Sequence, residues 1–75
     1  MKKNEGVLGF NPSSKRVCIA YTDHSVDLHC GDCFQIFLDG RWLDTAIEMR
    51  WPDREWYLTG FSGRNFLGLR ARDRK

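Results

Sequence analysis

The sequence lacks any long run of apolar residues, and this absence excludes a membrane-spanning helix. A helix that crosses a bilayer needs about 18 or more consecutive apolar residues, whereas polar residues interrupt every apolar stretch of this 75-residue chain sooner. The first 22 residues also lack the apolar core and small-residue cleavage site of a secretory signal. We therefore expect a cytoplasmic protein that does not associate with membranes.

Cysteine is scarce, and its number is odd. A disulfide framework would leave one of Cys18, Cys30 and Cys33 unpaired, so we expect a reducing compartment. Cys30 and Cys33 form a Cys-x-x-Cys pair that could supply two zinc ligands, with Cys18, His24 or His29 completing the shell. No second paired element occurs at the spacing typical of structural zinc sites. We predict no metal or other cofactor and interpret the cysteines as small strand residues.

A recognisable catalytic constellation is also missing. His24 and His29 have acidic neighbours in the sequence, but no nucleophile with a positioned base can be identified. Asp44 and Glu48 share one predicted strand, where paired carboxylates usually form the solvated face. The sequence therefore predicts a protein that is not an enzyme.

Helical periodicity is absent too, and alternating apolar residues take its place. The clearest pair of strands spans residues 33–38 and 41–51, joined by Asp39-Gly40. This dipeptide is typical of a two-residue hairpin loop, in which both residues adopt positive φ. The second arm is long, and the small Ala46 favours a bend there.

The two-residue loop fixes the register of the hairpin and therefore its two faces. One face carries the predicted core, which comprises Phe34, Ile36, Leu38, Leu43, Thr45, Ile47 and Met49. The opposite face carries Phe37 and Trp42 as a cross-strand aromatic pair, together with several polar residues.

Turn signals divide the rest of the chain into further short strands. We expect strands over residues 6–10, 16–21, 55–61 and 66–72, a short extended segment over 26–30, and fraying of residues 1–5. Ten aromatic residues can supply the core of so small a domain. Residues 1–75 are thus predicted to form one all-β domain of five to six strands, either a small barrel or a rolled antiparallel sheet.

Motifs spread from Gly6 to Arg72 resemble those of a known family. They include Gly6-Val7-Leu8, Asn11-Pro12-Ser13, Leu28-His29-Cys30-Gly31-Asp32, Asp39-Gly40, Glu55-Trp56-Tyr57-Leu58 and Gly68-Leu69. The family comprises uncharacterised, very small proteins of Gram-positive bacteria that are often carried on phages, plasmids and conjugative elements. The resemblance implies an SH3-like barrel and an accessory or host-interaction role, including inhibition of a host defence protein.

The aromatic pair is the first candidate binding surface. Phe37 and Trp42, bordered by Arg41 and Arg50, have the composition of a protein-binding hot spot. The alternative is that both rings pack beneath a curled sheet or beneath the amino-terminal segment.

The basic carboxyl terminus is the second candidate surface. Arg70, Arg72 and Arg74 alternate along a predicted strand and, with Lys75 and Arg64, could follow a phosphate backbone. Alternatively, they protect an edge strand from aggregation.

The distribution of charge leaves the same choice open. Residues 1–19 and 56–75 are basic and residues 20–55 are acidic, which could serve nucleic-acid binding or hold the terminal strands against the central ones. We predict a non-enzymatic binding module for a protein partner, with nucleic acid as the alternative ligand. It is expected to be a monomer or a weak homodimer.

Overall fold

The computed structural model describes residues 5–61 and 65–73, which form seven strands. The strands are β1 (Glu5–Asn11), β2 (Arg16–Ala20), β3 (Ser25–Asp27), β4 (Cys33–Leu38), β5 (Arg41–Arg50), β6 (Glu55–Leu58) and β7 (Arg70–Asp73). Every paired neighbour is antiparallel, in the order β3-β2-β1-β7-β4-β5-β6. The all-β prediction is confirmed. The described ranges contain no helix, and hence none long and apolar enough to cross a bilayer.

The sheet differs from the expected barrel in strand number and in closure. The seventh strand arises because Ser25–Asp27 pairs with β2 as a strand of its own. The sheet is open, since β3 and β6 occupy opposite ends of the strand order and do not pair within the described residues. Closure would require these two edges to hydrogen-bond, and strands of three and four residues present few groups for that.

Although it is open, the sheet curls because β5 changes partner along its length. The segment 41–46 pairs with β4, whereas 47–50 pairs with β6. At this bend the carbonyl of Ile47 accepts a hydrogen bond from the Gly31 amide at 2.9 Å. This bend of β5 brings β6 toward the first hairpin, which is formed by β1 and β2. There Trp56 Nε1 donates a hydrogen bond to the carbonyl of Lys15 at 3.4 Å.

The hairpin of β4 and β5 has the predicted register and turn. Asp39 and Gly40 adopt φ of 53° and 81°, and Leu38 pairs with Arg41. The concave face carries the core, which comprises Leu8, Val17, Ile19, Leu28, Phe34, Ile36, Ile47, Leu58, Phe66 and Ala71. Leu43 packs at the margin of this core and is only partly buried.

Both ends of the chain depart from the predictions. Glu5, expected in a frayed terminus, begins β1 and its side chain is buried; residues 1–4 lie outside the described ranges. The last strand begins at Arg70 rather than residue 66, because Phe66 and Leu69 close a turn with a 3.2 Å hydrogen bond. β7 also lies between β1 and β4, so the interpretation of its arginines as protection for an edge strand is wrong.

Candidate functional site

The central strands bring the two predicted binding surfaces together. β4 lies between β7 and β5, with Gln35 paired to Arg72 on one side and Phe37 paired to Trp42 on the other. Because residues two apart on a strand share a face, Arg70, Arg72, Gln35, Phe37 and Trp42 project from the same convex side. We call these five residues the arginine–aromatic face.

The two aromatic rings of this face lie under the two guanidinium groups. The Phe37 and Trp42 ring centroids are 5.3 Å apart with an interplanar angle of 63°, an edge-to-face arrangement. Arg72 Cζ lies 4.1 Å from the Trp42 ring centroid, and Arg70 Cζ lies 4.9 Å from that of Phe37. Both rings are half-buried and neither belongs to the core cluster, so the alternative that they pack beneath the curled sheet is wrong. The alternative that they pack beneath the amino-terminal segment involves residues 1–4, which lie outside the described ranges.

A polar network holds the arginines in place. Arg72 Nε donates to Gln35 Oε1 at 2.8 Å, and Gln35 Nε2 donates to Asp44 Oδ1 at 3.0 Å. Arg70 forms an ion pair with Glu5, whose side chain is only 6% exposed. Two arginines thus face two carboxylates, and the described part of this face carries no surplus of positive charge.

The other arginines predicted to border the aromatic pair lie elsewhere. Arg41 pairs with Leu38, one residue out of phase with Trp42, so it lies on the opposite side of the hairpin. Arg50 lies at the far end of β5, with its Cζ 5.4 Å from the Tyr57 ring centroid. At about 3.3 Å per residue, Arg50 is about 26 Å from Trp42 along the strand. Three further predicted residues lie outside the described ranges, namely Arg64, Arg74 and Lys75.

The three cysteines differ in their exposure to solvent. Cys18 is buried, whereas Cys30 and Cys33 are exposed. Burial, and then the charge of Asp27, raises the pKa of the Cys18 thiol, which disfavours the reactive thiolate. Within 5–61 and 65–73, no three His, Cys, Asp or Glu side chains are grouped to hold a metal ion.

The histidines also make local contacts. The ring of His24 stacks on Tyr21 with centroids 5.0 Å apart, and its hydrogen bond to Asp23 lowers the pKa of that carboxyl.

A cavity of about 250 Å³ opens beside Tyr21, Phe34 and Asp73. Burial and then the charge of Asp73 raise the pKa of the Tyr21 hydroxyl. These groups provide no paired nucleophile and base.

A groove between two hairpins forms a further candidate binding surface, which the sequence did not predict. The loop of the first hairpin and the hairpin of β5 and β6 enclose a groove of about 540 Å³, lined by Phe10, Pro12, Lys15, Met49, Arg54 and Trp56. We call it the hairpin groove. Its two walls are far apart in sequence, so no local pattern predicts that they meet.

Comparisons with known proteins identify a matching family and a similar solved structure. A family model described as a domain of unknown function, DUF5348, matches residues 6–72. A protein from Ruminococcus gnavus, with a crystal structure determined by the Northeast Structural Genomics Consortium, is 34% identical with a TM-score of 0.78. The match covers 91% of this chain and 97% of that chain. No curated protein matches the chain significantly.

Proposed function

We propose that this chain, which belongs to the DUF5348 family, is a non-enzymatic binding module that recognises a protein partner through the arginine–aromatic face. The observation that carries the proposal is the Arg72 guanidinium, 4.1 Å from the Trp42 ring centroid on the convex side of the sheet. Tryptophan and arginine are enriched among the residues that dominate protein interfaces. Here the two residues belong to β7 and β5, which lie on either side of β4 in the sheet, so little ordering is needed on binding.

The chemistry of the stacked arginines supports a protein ligand. A guanidinium that stacks on an aromatic ring keeps its edge directed outward, where it can donate to a partner's carboxylate or carbonyl. Arg72 is oriented by its hydrogen bond to Gln35, and Arg70 by its ion pair with Glu5. The face therefore offers fixed donors above an apolar floor, the mixture typical of an interface centre.

The balance of charge supports a protein partner over nucleic acid. Binding to a phosphate backbone depends on surplus cations that release counterions. On this face Glu5 pairs with Arg70, and Gln35 connects Arg72 to Asp44. Single-stranded nucleic acid remains the alternative, because arginines beside an aromatic ring can also stack bases.

The setting of this function rests on the sequence. The resemblance to proteins of phages and conjugative elements supports an accessory or host-interaction role. The odd number of cysteines supports a location in the cytoplasm. The partner would then be a protein of the Gram-positive host.

Affinity capture with three forms of the protein tests the proposal. The wild type and an Arg41→Ala control should retain the same partner from a lysate of the bacterium that encodes the chain. Arg72→Ala should reduce its recovery about tenfold, because loss of a hot-spot residue typically costs about 1.4 kcal/mol or more. Equal recovery by Arg72→Ala and wild type, with both folded by circular dichroism, would contradict the proposal.

A salt titration with oligonucleotides distinguishes the alternative. We expect no binding of single- or double-stranded oligonucleotides at micromolar concentration and physiological salt. If nucleic acid is the ligand, three or four phosphate contacts should give a slope of log K against log[salt] of about −2 to −3 on single strands. Loss of part of that slope in Arg72→Ala would then assign the face to nucleic acid.

A further inference from the structure

The hairpin groove is an uncovered continuation of the core. Met49 pairs with Trp56, two residues beyond the fully buried pair Ile47 and Leu58. Phe10 likewise lies two residues beyond the buried Leu8 on β1, yet it is 48% exposed. Apolar side chains of the concave face therefore extend past the region that the curled sheet covers.

The walls of the groove are held together before any ligand binds. Trp56 Nε1 donates to the Lys15 carbonyl at 3.4 Å, which connects β6 to the loop of the first hairpin. The guanidinium carbon of Arg16 on β2 lies 5.9 Å from the Trp56 ring centroid on β6, a second contact between the two hairpins. Its volume of about 540 Å³ lies within the range of about 300–1,000 Å³ seen for binding pockets. A ligand side chain could enter without major rearrangement.

Both charged residues that line the groove are cations. Lys15 and Arg54 come from the two opposing loops, and none of the acidic side chains in the described part of the chain lines the groove. Each of the two residues has φ of 59°, in the left-handed region that glycine and asparagine adopt more readily. Two cations therefore border one apolar groove.

We infer that the hairpin groove binds an acidic peptide segment of a partner protein. An apolar side chain of the peptide would pack against Phe10, Met49 and Trp56, and flanking carboxylates would pair with Lys15 and Arg54. Charge complementarity selects this occupant, because a basic segment would be repelled and an acidic segment without apolar residues would leave the groove unfilled. Since β5 places the groove and the arginine–aromatic face at its opposite ends, this inference does not depend on the function proposed for that face.

Nuclear magnetic resonance can test both the occupant and the place. The probe is a synthetic peptide in which glutamates flank a central leucine and phenylalanine, and the matched peptide has lysine at every glutamate position. Titration of isotope-labelled protein with the acidic peptide should shift the Trp56 indole and Met49 methyl signals in a saturable way. The lysine peptide should bind at least about tenfold more weakly, since both charge pairs become repulsive.

Two variants separate binding from folding. Lys15→Asn with Arg54→Asn removes both cations but inserts a residue that tolerates positive φ, so the fold should be kept while affinity for the acidic peptide falls about tenfold. Arg41→Asn removes one cation at the opposite end of β5 and should change the affinity less than twofold.

Three results would overturn the inference. One is equal binding of the acidic and lysine peptides, and another is unchanged affinity in the folded double variant. The third is a set of shifts at the Trp42 indole instead of Trp56, which would move the peptide to the arginine–aromatic face and leave the proposed function standing.

Discussion

Trp42 shows how one half-buried aromatic residue can be kept on the convex side of a small sheet. Uncovered, its indole would present a large apolar area to water. Arg72 stacks on one side and Phe37 contacts it edge-on. Stacking of this kind contributes about 0.5–2 kcal/mol, and it keeps the ring close enough to the surface to meet a partner. A stability role and a binding role are therefore compatible in the same residue.

Replacing Ile47 by Ala should destabilise the fold by about 2–5 kcal/mol, because a buried isoleucine loses both its transfer energy and its packing. Ile47 is fully buried at the bend of β5, and its amide donates to the Asp32 carbonyl at 3.1 Å. Urea denaturation followed by tryptophan fluorescence gives the free energy of unfolding. Val7→Ala is a suitable control, since Val7 is 37% exposed. A loss below about 0.5 kcal/mol at Ile47 would be incompatible with its place in the core.

At the scale of elements, the hairpin was predictable because turn chemistry is local. Asp39-Gly40 specifies a turn with two positive φ angles, and the alternation of its arms then fixes which residues face the core. The position of β7 was not predictable, because it depends on pairing between the two ends of the chain. Ala71 fits there between Gly6 and Ile36, where a larger residue would collide with the core. No pattern within residues 66–73 reveals those neighbours.

Replacing Gly40 by Val should weaken the hairpin through backbone strain alone. A Cβ at this position meets nothing within 4 Å, but φ is +81°. Left-handed backbone costs a residue with a Cβ about 1–2 kcal/mol, and a β-branched side chain adds to that cost. The free energy of unfolding should therefore fall by at least about 1 kcal/mol, whereas Gly40→Asn should lose less. If both variants match the wild type in denaturant melts, the Asp39-Gly40 turn does not have this geometry.

At the scale of the whole molecule, the arginines of the basic carboxyl end have partners within the fold. The basic end of the chain enters the sheet as β7, beside acidic or polar partners from other segments. Arg70 meets Glu5, and Arg72 meets Gln35 and through it Asp44. Arg72 is thus joined through Gln35 to Asp44 of the acidic middle segment, whereas Glu5, the partner of Arg70, belongs to the basic segment 1–19, so the contacts in the fold do not simply follow the charge blocks of the sequence. This is why charge counts along a chain do not by themselves predict a nucleic-acid surface.

The candidate sites were predictable to different degrees. The hairpin register put Phe37 and Trp42 on the face opposite the predicted core but left open whether the rings pack inward, and the alternation of Arg70 and Arg72 placed both on one side of a strand. That the two pairs share one surface required the order of the strands. The hairpin groove required more, since Lys15 and Trp56 meet only because β5 bends and the sheet curls. Sites formed by one hairpin can be inferred from sequence, whereas sites formed between hairpins need the tertiary structure.

Folding should not depend on a metal ion, because the apolar core accounts for the fold and the Cys-x-x-Cys pair has no third ligand grouped with it in the part of the chain that the structure describes. Cys30 and Cys33 are both exposed, and Cys33 Sγ contacts the Gly31 carbonyl at 3.6 Å. A strong chelator should therefore leave the near-ultraviolet circular dichroism and the thermal midpoint unchanged. The Cys30→Ser, Cys33→Ser double variant should melt within a few degrees of the wild type, since both side chains lie at the surface. An unfolding transition induced by the chelator, or one zinc ion per chain by elemental analysis, would instead make the cysteine pair part of a structural site, because zinc binding in small domains is coupled directly to folding.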